Sequence, residues 1–149
     1  MLTSENFRKI CKNCQAFCCK LVLPPVTPQE RYRILKAGHP DHFTQISSDV
    51  YQIQPTETGW CPYLSADFSC SIQEVKPTLC TIWPVIPHEK RQQRGAMVVK
   101  CPLYPHLSSS EINHAQTVGK TIPSCIIKHL WALSEETKNK YKTYEYEEL

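Results

Sequence analysis

Nine cysteines in 149 residues, eight of them between Cys11 and Cys101, constrain this chain more than any other feature it has. The densest stretch, CKNCQAFCCK, puts Cys11, Cys14, Cys18 and Cys19 within nine consecutive residues. Cys61, Cys70, Cys80 and Cys101 follow singly, and Cys125 stands apart in an apolar run. What a thiol does depends on its compartment. The opening residues MLTSENFRKI lack the apolar core of a secretory signal, and no later apolar run approaches the ~20 residues needed to cross a bilayer. A cytoplasmic location with no membrane contact is therefore expected, and there thiols stay reduced. The odd count argues against a disulfide framework, so metal ligation becomes the leading reading.

Eight thiols are enough for two four-cysteine sites. Soft thiolates select zinc, copper(I) or iron–sulfur clusters over magnesium and calcium. Zinc sites are often assembled from two C-x2-C turns, and this chain has one, from Cys11 to Cys14. Cys61 and Cys101 are each followed by proline, as is the last ligand of a bacterial ferredoxin motif, which leans toward iron–sulfur. Adjacent residues diverge by roughly 100° on a helix and face opposite ways on a strand. Cys18 and Cys19 are thus expected to serve two sites, or two irons of one larger cluster.

The rest of the chain reads as short elements. Thr27 and Glu30 are spaced as a capping box with Pro28 at the first helical position, and Gly38 and Pro40 end the helix. Tyr32, Ile34 and Leu35 are its candidate buried stripe. The alternation in DVYQIQ predicts a strand, and WPVIPHEK with GAMVVK predicts a hairpin turning between Arg91 and Gly95. Pro84 and Pro87 push its first arm to a sheet edge. Serine-led SSSEINHAQTVGK and the following PSCIIKHLWALSEETKNKYK predict two helices, the second burying Ile126, Ile127, Leu130, Trp131 and Leu133, while the acidic tail TYEYEEL is expected to fray. Cys125, beside Ile126, reads as a small core residue. Trp60, Tyr63, Trp83 and Tyr104 read as packing, and Lys76 and Pro77 as the turn before Cys80.

A net charge of +3 is only mildly basic. Lys90, Arg91, Arg94 and Lys100 gather near the hairpin, where a solvated face accounts for them better than a nucleic-acid surface does. His88, His106 and His114 lack regularly spaced partners. No glycine-rich phosphate loop, nucleophile elbow or paired-carboxylate motif is present, which weakens a hydrolase or nucleotide-enzyme reading.

The ordered set CxxCxxxCC, a threonine-led helix, CPYL, CSI, KP, Cys80 and WP resembles the YkgJ-type cysteine-cluster family of zinc- or iron-chelating domains over roughly residues 11–102. The resemblance implies a ligand set of Cys11, Cys14, Cys18, Cys19, Cys61, Cys70, Cys80 and Cys101, with Cys125 outside it. Gln73 departs from the tyrosine common in the family, and CPLYP replaces its usual CPG.

The expected fold is a small irregular single α+β domain over residues 1–149, with short helices and little sheet, stapled by cysteine-bound metal. Residues 11–102 form its metal-binding region and 108–149 a helical region. The expected function is a cytoplasmic metal-binding protein carrying an iron–sulfur cluster, zinc or both, in a redox or metal-handling role. Two other readings stand beside it: an iron–sulfur-assisted enzyme related to flagellin lysine N-methylases, and a zinc-stapled module that contacts protein or nucleic acid.

Overall fold

Helix starts set much of the local order. In the computed structural model, which describes residues 4–16, 18–21, 23–132, 139 and 144–149, the Thr27 hydroxyl accepts from the Glu30 amide and the Glu30 carboxylate accepts from the Thr27 amide. This capping box opens the helix Pro28–Lys36 (α3), which follows Ser4–Asn13 (α1) and Cys18–Leu21 (α2). The second oxygen of Glu30 accepts from the Thr78 amide at 2.7 Å. One carboxylate therefore closes the starts of two helices, α3 and Thr78–Thr81 (α4), and α4 carries Cys80. Ser108 and Glu111 form a second capping box at Ser109–Gly119 (α5), and Ser124–Trp131 (α6) follows.

Two three-stranded antiparallel sheets accompany these helices among the described residues. Pro25–Val26 (β1), Phe43–Gln45 (β2) and Tyr51–Ile53 (β3) form the first, in the order β1-β3-β2. Beneath it Ile34, Ile53, Tyr63 and Ile72 make a small core, with Cys61 and Cys70 packed at its margin. Val85–Lys90 (β4), Gln93–Val99 (β5) and Tyr146–Glu148 (β6) form the second, in the order β4-β5-β6. Alternate residues of a strand face opposite ways. Met97 and Val99 accordingly join the main core with Ile126, Ile127 and Leu130, while Ala96 and Val98 pack beside Ile112 and Ala115 of α5. The molecule is thus α+β, with short helices and small sheets.

The hairpin forms with a tighter turn than the glycine suggested. Arg91 and Gln92 both adopt positive φ, 50° and 63°, the pairing that matches strand twist in a two-residue hairpin. Gly95 lies within β5 instead, where the His88 ring crosses its Cα so closely that an added Cβ would sit 2.5 Å from a ring carbon. Strand β4 lies at the sheet edge and contains Pro87, as its prolines require.

Two expectations are corrected. Ile34 is fully buried, but Tyr32 is 64% exposed, because α3 is short and turns only a narrow stripe inward. The acidic tail pairs with β5 as β6, since it finds complementary charge there: Glu148 meets His88 at 2.8 Å and Lys90 at 3.7 Å, and Glu147 meets Lys100 at 3.7 Å. Leu133 lies outside the described residues. Among those residues, no helix is long and apolar enough to cross a membrane.

The double role of Glu30 yields a test. Glu30→Ala removes an acceptor from two helix starts and should lower the unfolding free energy by about 1–3 kcal/mol in urea denaturation, with Glu30→Gln losing less. An unchanged midpoint in Glu30→Ala would show that the carboxylate holds neither helix.

Candidate metal centre

Cys11 lies on α1, and Cys14 follows its last turn, where the Cys14 thiol donates to the Cys11 carbonyl at 3.3 Å. The chain then reverses through Gln15 and Ala16 at φ 59° and 49°, left-handed positions that cost a non-glycine residue roughly 1–2 kcal/mol each. The Ala16 amide donates back to the Cys11 carbonyl at 2.8 Å, and the Ala16 carbonyl accepts from Cys19 at 2.8 Å. This reversal brings α2, with Cys18 and Cys19, against the end of α1.

The second cysteine region joins the first through the backbone. The Cys61 amide donates to the Cys19 carbonyl at 2.8 Å. After Cys61 the chain doubles back, with Leu64 bridging to Cys70 and Ser71 bonded to Tyr63 through both its amide and its hydroxyl. Cys61 and Cys70 thereby stand on one folded loop. Cys80 is supplied by α4, and Cys101 follows β5 at only 7% exposure.

All eight predicted thiols line two adjoining cavities. The larger, about 360 Å3, is lined by Cys11, Cys18, Cys19, Cys61, Cys70 and Cys80. The smaller, about 10 Å3, has the volume of one water-sized sphere and is lined by Cys11, Cys14, Cys18 and Cys101. Cys11 and Cys18 stand on the wall between them. Cys18 therefore lines both cavities and Cys19 the larger one only, so the adjacent thiols meet in the larger space. Among the described residues, no three Cys, His, Asp or Glu side chains are gathered into a ready coordinating group; the thiols line both spaces without closing on either.

The electrostatics follow from that crowding. Burial pushes Cys11 up from 9.0 to about 12, and the neighbouring Cys14 and Cys101 push the same way. Burial also pushes Cys61 up to about 12, with Cys19 and Cys70 adding to it. Cys70, Cys80 and Cys101 are raised chiefly by burial as well. Cys18 and Cys19 share a hydrogen bond in which Cys18 donates; this holds Cys18 up and brings Cys19 down, and the Lys76 ammonium also favours the Cys19 thiolate. A purely thiol donor set of this kind suits zinc and iron, whose bonds replace the hydration a buried thiolate loses.

Three residues flank the site without having been named in the ligand set, and of these the sequence had marked only Trp83 as a neighbour of candidate ligands. Lys76, read there as a turn former, lines the larger cavity. Trp83, read as packing, borders both cavities, and its indole N–H donates to Cys101. Tyr144 borders the smaller one, brought there by the β6 segment, for which the sequence carried no signal. Cys125 is exposed on the first turn of α6, which corrects its reading as a core residue: α6 turns Ile126 and Ile127 inward and leaves position 125 outside.

No curated protein and no solved structure matches the chain significantly. A family model does, over residues 10–102, under the description "CxxCxxCC: Putative zinc- or iron-chelating domain". That span contains all eight thiols of the two cavities, and the chain belongs to this cysteine-cluster family of zinc- or iron-chelating domains.

Proposed function

We propose that residues 1–149 form one cytoplasmic domain that holds metal on thiolates at two neighbouring centres, with residues 11–102 as the binding region and 108–149 as its buttress. One observation carries the reading: the eight thiols line two adjoining cavities, with Cys11 and Cys18 on the wall they share. Cys11, Cys14, Cys18 and Cys101 would hold a single zinc or iron ion at the smaller. Cys19, Cys61, Cys70 and Cys80 would hold zinc or an iron–sulfur cluster at the larger, where there is room for more than one metal atom. Bound iron would supply one-electron chemistry, and bound zinc a cross-link.

The chain's own residues contribute orientation and exclusion of water. The Cys61–Cys19 backbone bond holds two of the thiols of the larger cavity in register. Ile10, Trp83, Leu103 and Tyr144 give the smaller cavity an apolar surround, which strengthens thiolate–cation attraction. A redox or metal-handling role fits this arrangement better than docking through the basic hairpin. Lys90, Arg94 and Lys100 are each paired with a carboxylate of the same chain, Arg94 with Glu89 at 3.0 Å.

Metal content and EPR of protein purified anaerobically test the assignment. Cys18→Ser and Cys101→Ser should lose one centre, Cys19→Ser and Cys80→Ser the other, and Cys125→Ser neither, because serine is a poor substitute for a soft thiolate. Loss of one common signal in all four ligand variants would replace two centres with a single cluster. Full metal retention in any of the four would remove that cysteine from the ligand set.

A pH experiment tests whether the thiols are loaded. In metal-free reduced protein, the folded chain keeps protons on Cys11 and Cys61 up to about 12, whereas unfolded thiols release theirs near 9.0. The folded state therefore binds more protons between those values. Its stability is complete below 9.0 and falls as pH rises toward about 12. Urea midpoints at about pH 8 and about pH 11 should show that fall. Metal-loaded protein, whose ligand thiols carry no proton, should lack it and weaken instead toward acid, where protons compete with metal. Identical profiles for the two forms would contradict thiolate ligation.

A further inference from the structure

The larger cavity has four charged side chains on its walls: Arg8, Lys12, Asp67 and Lys76. Two are committed to each other, for Lys12 pairs with Asp67 at 3.3 Å, and Asp67 also accepts from the amide and hydroxyl of Ser69. Arg8 is exposed on α1. Lys76 is different. It is half-buried, its ammonium lies 5.3 Å from the centre of the Phe7 ring, and among the described residues no carboxylate stands within ion-pair distance of it. Its backbone is held by the residue that follows, Pro77, which is the N-cap of the helix carrying Cys80.

A cation placed this way has a cost that needs an explanation. A half-buried ammonium without a carboxylate loses hydration, and one aromatic face returns only part of that. The cavity it borders is lined by six cysteines. Four thiolates around a divalent ion leave a net charge of about −2, which a poorly solvated site tolerates badly without a nearby positive charge.

We infer that Lys76 is the fixed counter-cation of the larger thiol site: a positioning residue that binds no metal itself but offsets the negative charge of the loaded centre and so raises its affinity. This rests on the two-centre reading proposed above. The position of the side chain supports it, since Lys76 lines the same cavity as Cys19, Cys61, Cys70 and Cys80 and as Cys11 at the shared wall. The proline that follows confines the lysine backbone, and Phe7 holds its side chain over the cavity, so the charge is in place before metal arrives.

The test uses the full-length reduced protein, with zinc alone as the probe and a chelator as competitor. Lys76→Met keeps most of the aliphatic body on Phe7 and removes the charge; Lys76→Arg keeps the charge; Lys90→Met removes a cation of the hairpin that lines neither cavity. Lys76→Met should weaken one of two zinc-binding steps about tenfold, equivalent to about 1.4 kcal/mol. Lys76→Arg should stay near wild type, Lys90→Met should leave both steps unchanged, and metal-free Lys76→Met should unfold at the wild-type urea midpoint or above it. Wild-type affinity in Lys76→Met would overturn the inference while leaving the two-centre reading intact. Equal weakening in Lys76→Arg, or a lowered metal-free midpoint in Lys76→Met, would also overturn it by assigning the residue to packing. Failure of the wild-type protein to take up zinc at all would overturn the reading of these thiols as ligands, and the inference with it.

Discussion

One backbone hydrogen bond, from the Cys61 amide to the Cys19 carbonyl, fastens two distant parts of the chain at the point where both present thiols. Elements on either side are arranged so that it can form. The reversal at Gln15 and Ala16 delivers Cys19 to its end of the bond, and the loop folded on the Leu64–Cys70 bridge delivers Cys61 to the other. Glu30, shared between the starts of α3 and α4, then brings Cys80 to the same cavity. The sheets serve this arrangement from outside: β3 places Ile53 over the loop with Cys61 and Cys70, and β5 runs into Cys101.

Such a gathering of sulfur has an electrostatic consequence. As free thiols, the eight groups are tolerable neighbours because burial keeps most of them protonated; as thiolates they would repel one another at close range in a medium that screens poorly. A cation bound between them reverses the sign of that interaction. Coordination, hydration and folding are then coupled, as in other small metal-binding domains.

Much of the framework was legible in the sequence wherever a local rule decided the outcome. The Thr27–Glu30 box, the serine-capped α5, the alternating DVYQIQ and the edge placement of Pro87 each follow from a few neighbouring residues. The cysteine motif itself was specific enough to give the family. What escaped was tertiary. Helix α1 was not expected from the sequence, the turn at residues 15 and 16 uses no glycine, and β6 pairs with β5, where the basic hairpin offers matching charge. The meeting of the first and second cysteine regions in one cavity rests on the Cys19–Cys61 contact, which no spacing rule contains. Lys76 was visible as a turn residue, but nothing local reveals that its side chain lines the cavity of the cysteines.

The adjacency of Cys18 and Cys19 sets an order of assembly. On the proposed assignment, Cys19 closes onto Cys61, Cys70 and Cys80, while Cys18 closes onto Cys101, so the second closure encloses the whole of the first. The outer loop, from 18 to 101, is about a third longer than the whole inner one from 19 to 80, and its closure costs roughly 0.3 kcal/mol more in chain entropy. Once the inner site has formed, most of that outer distance has already been spanned, because β4 and β5 lead directly from α4 to Cys101. On that assignment loading would follow the topology, the inner knot tied first and the outer one drawing the ends of the region together around it.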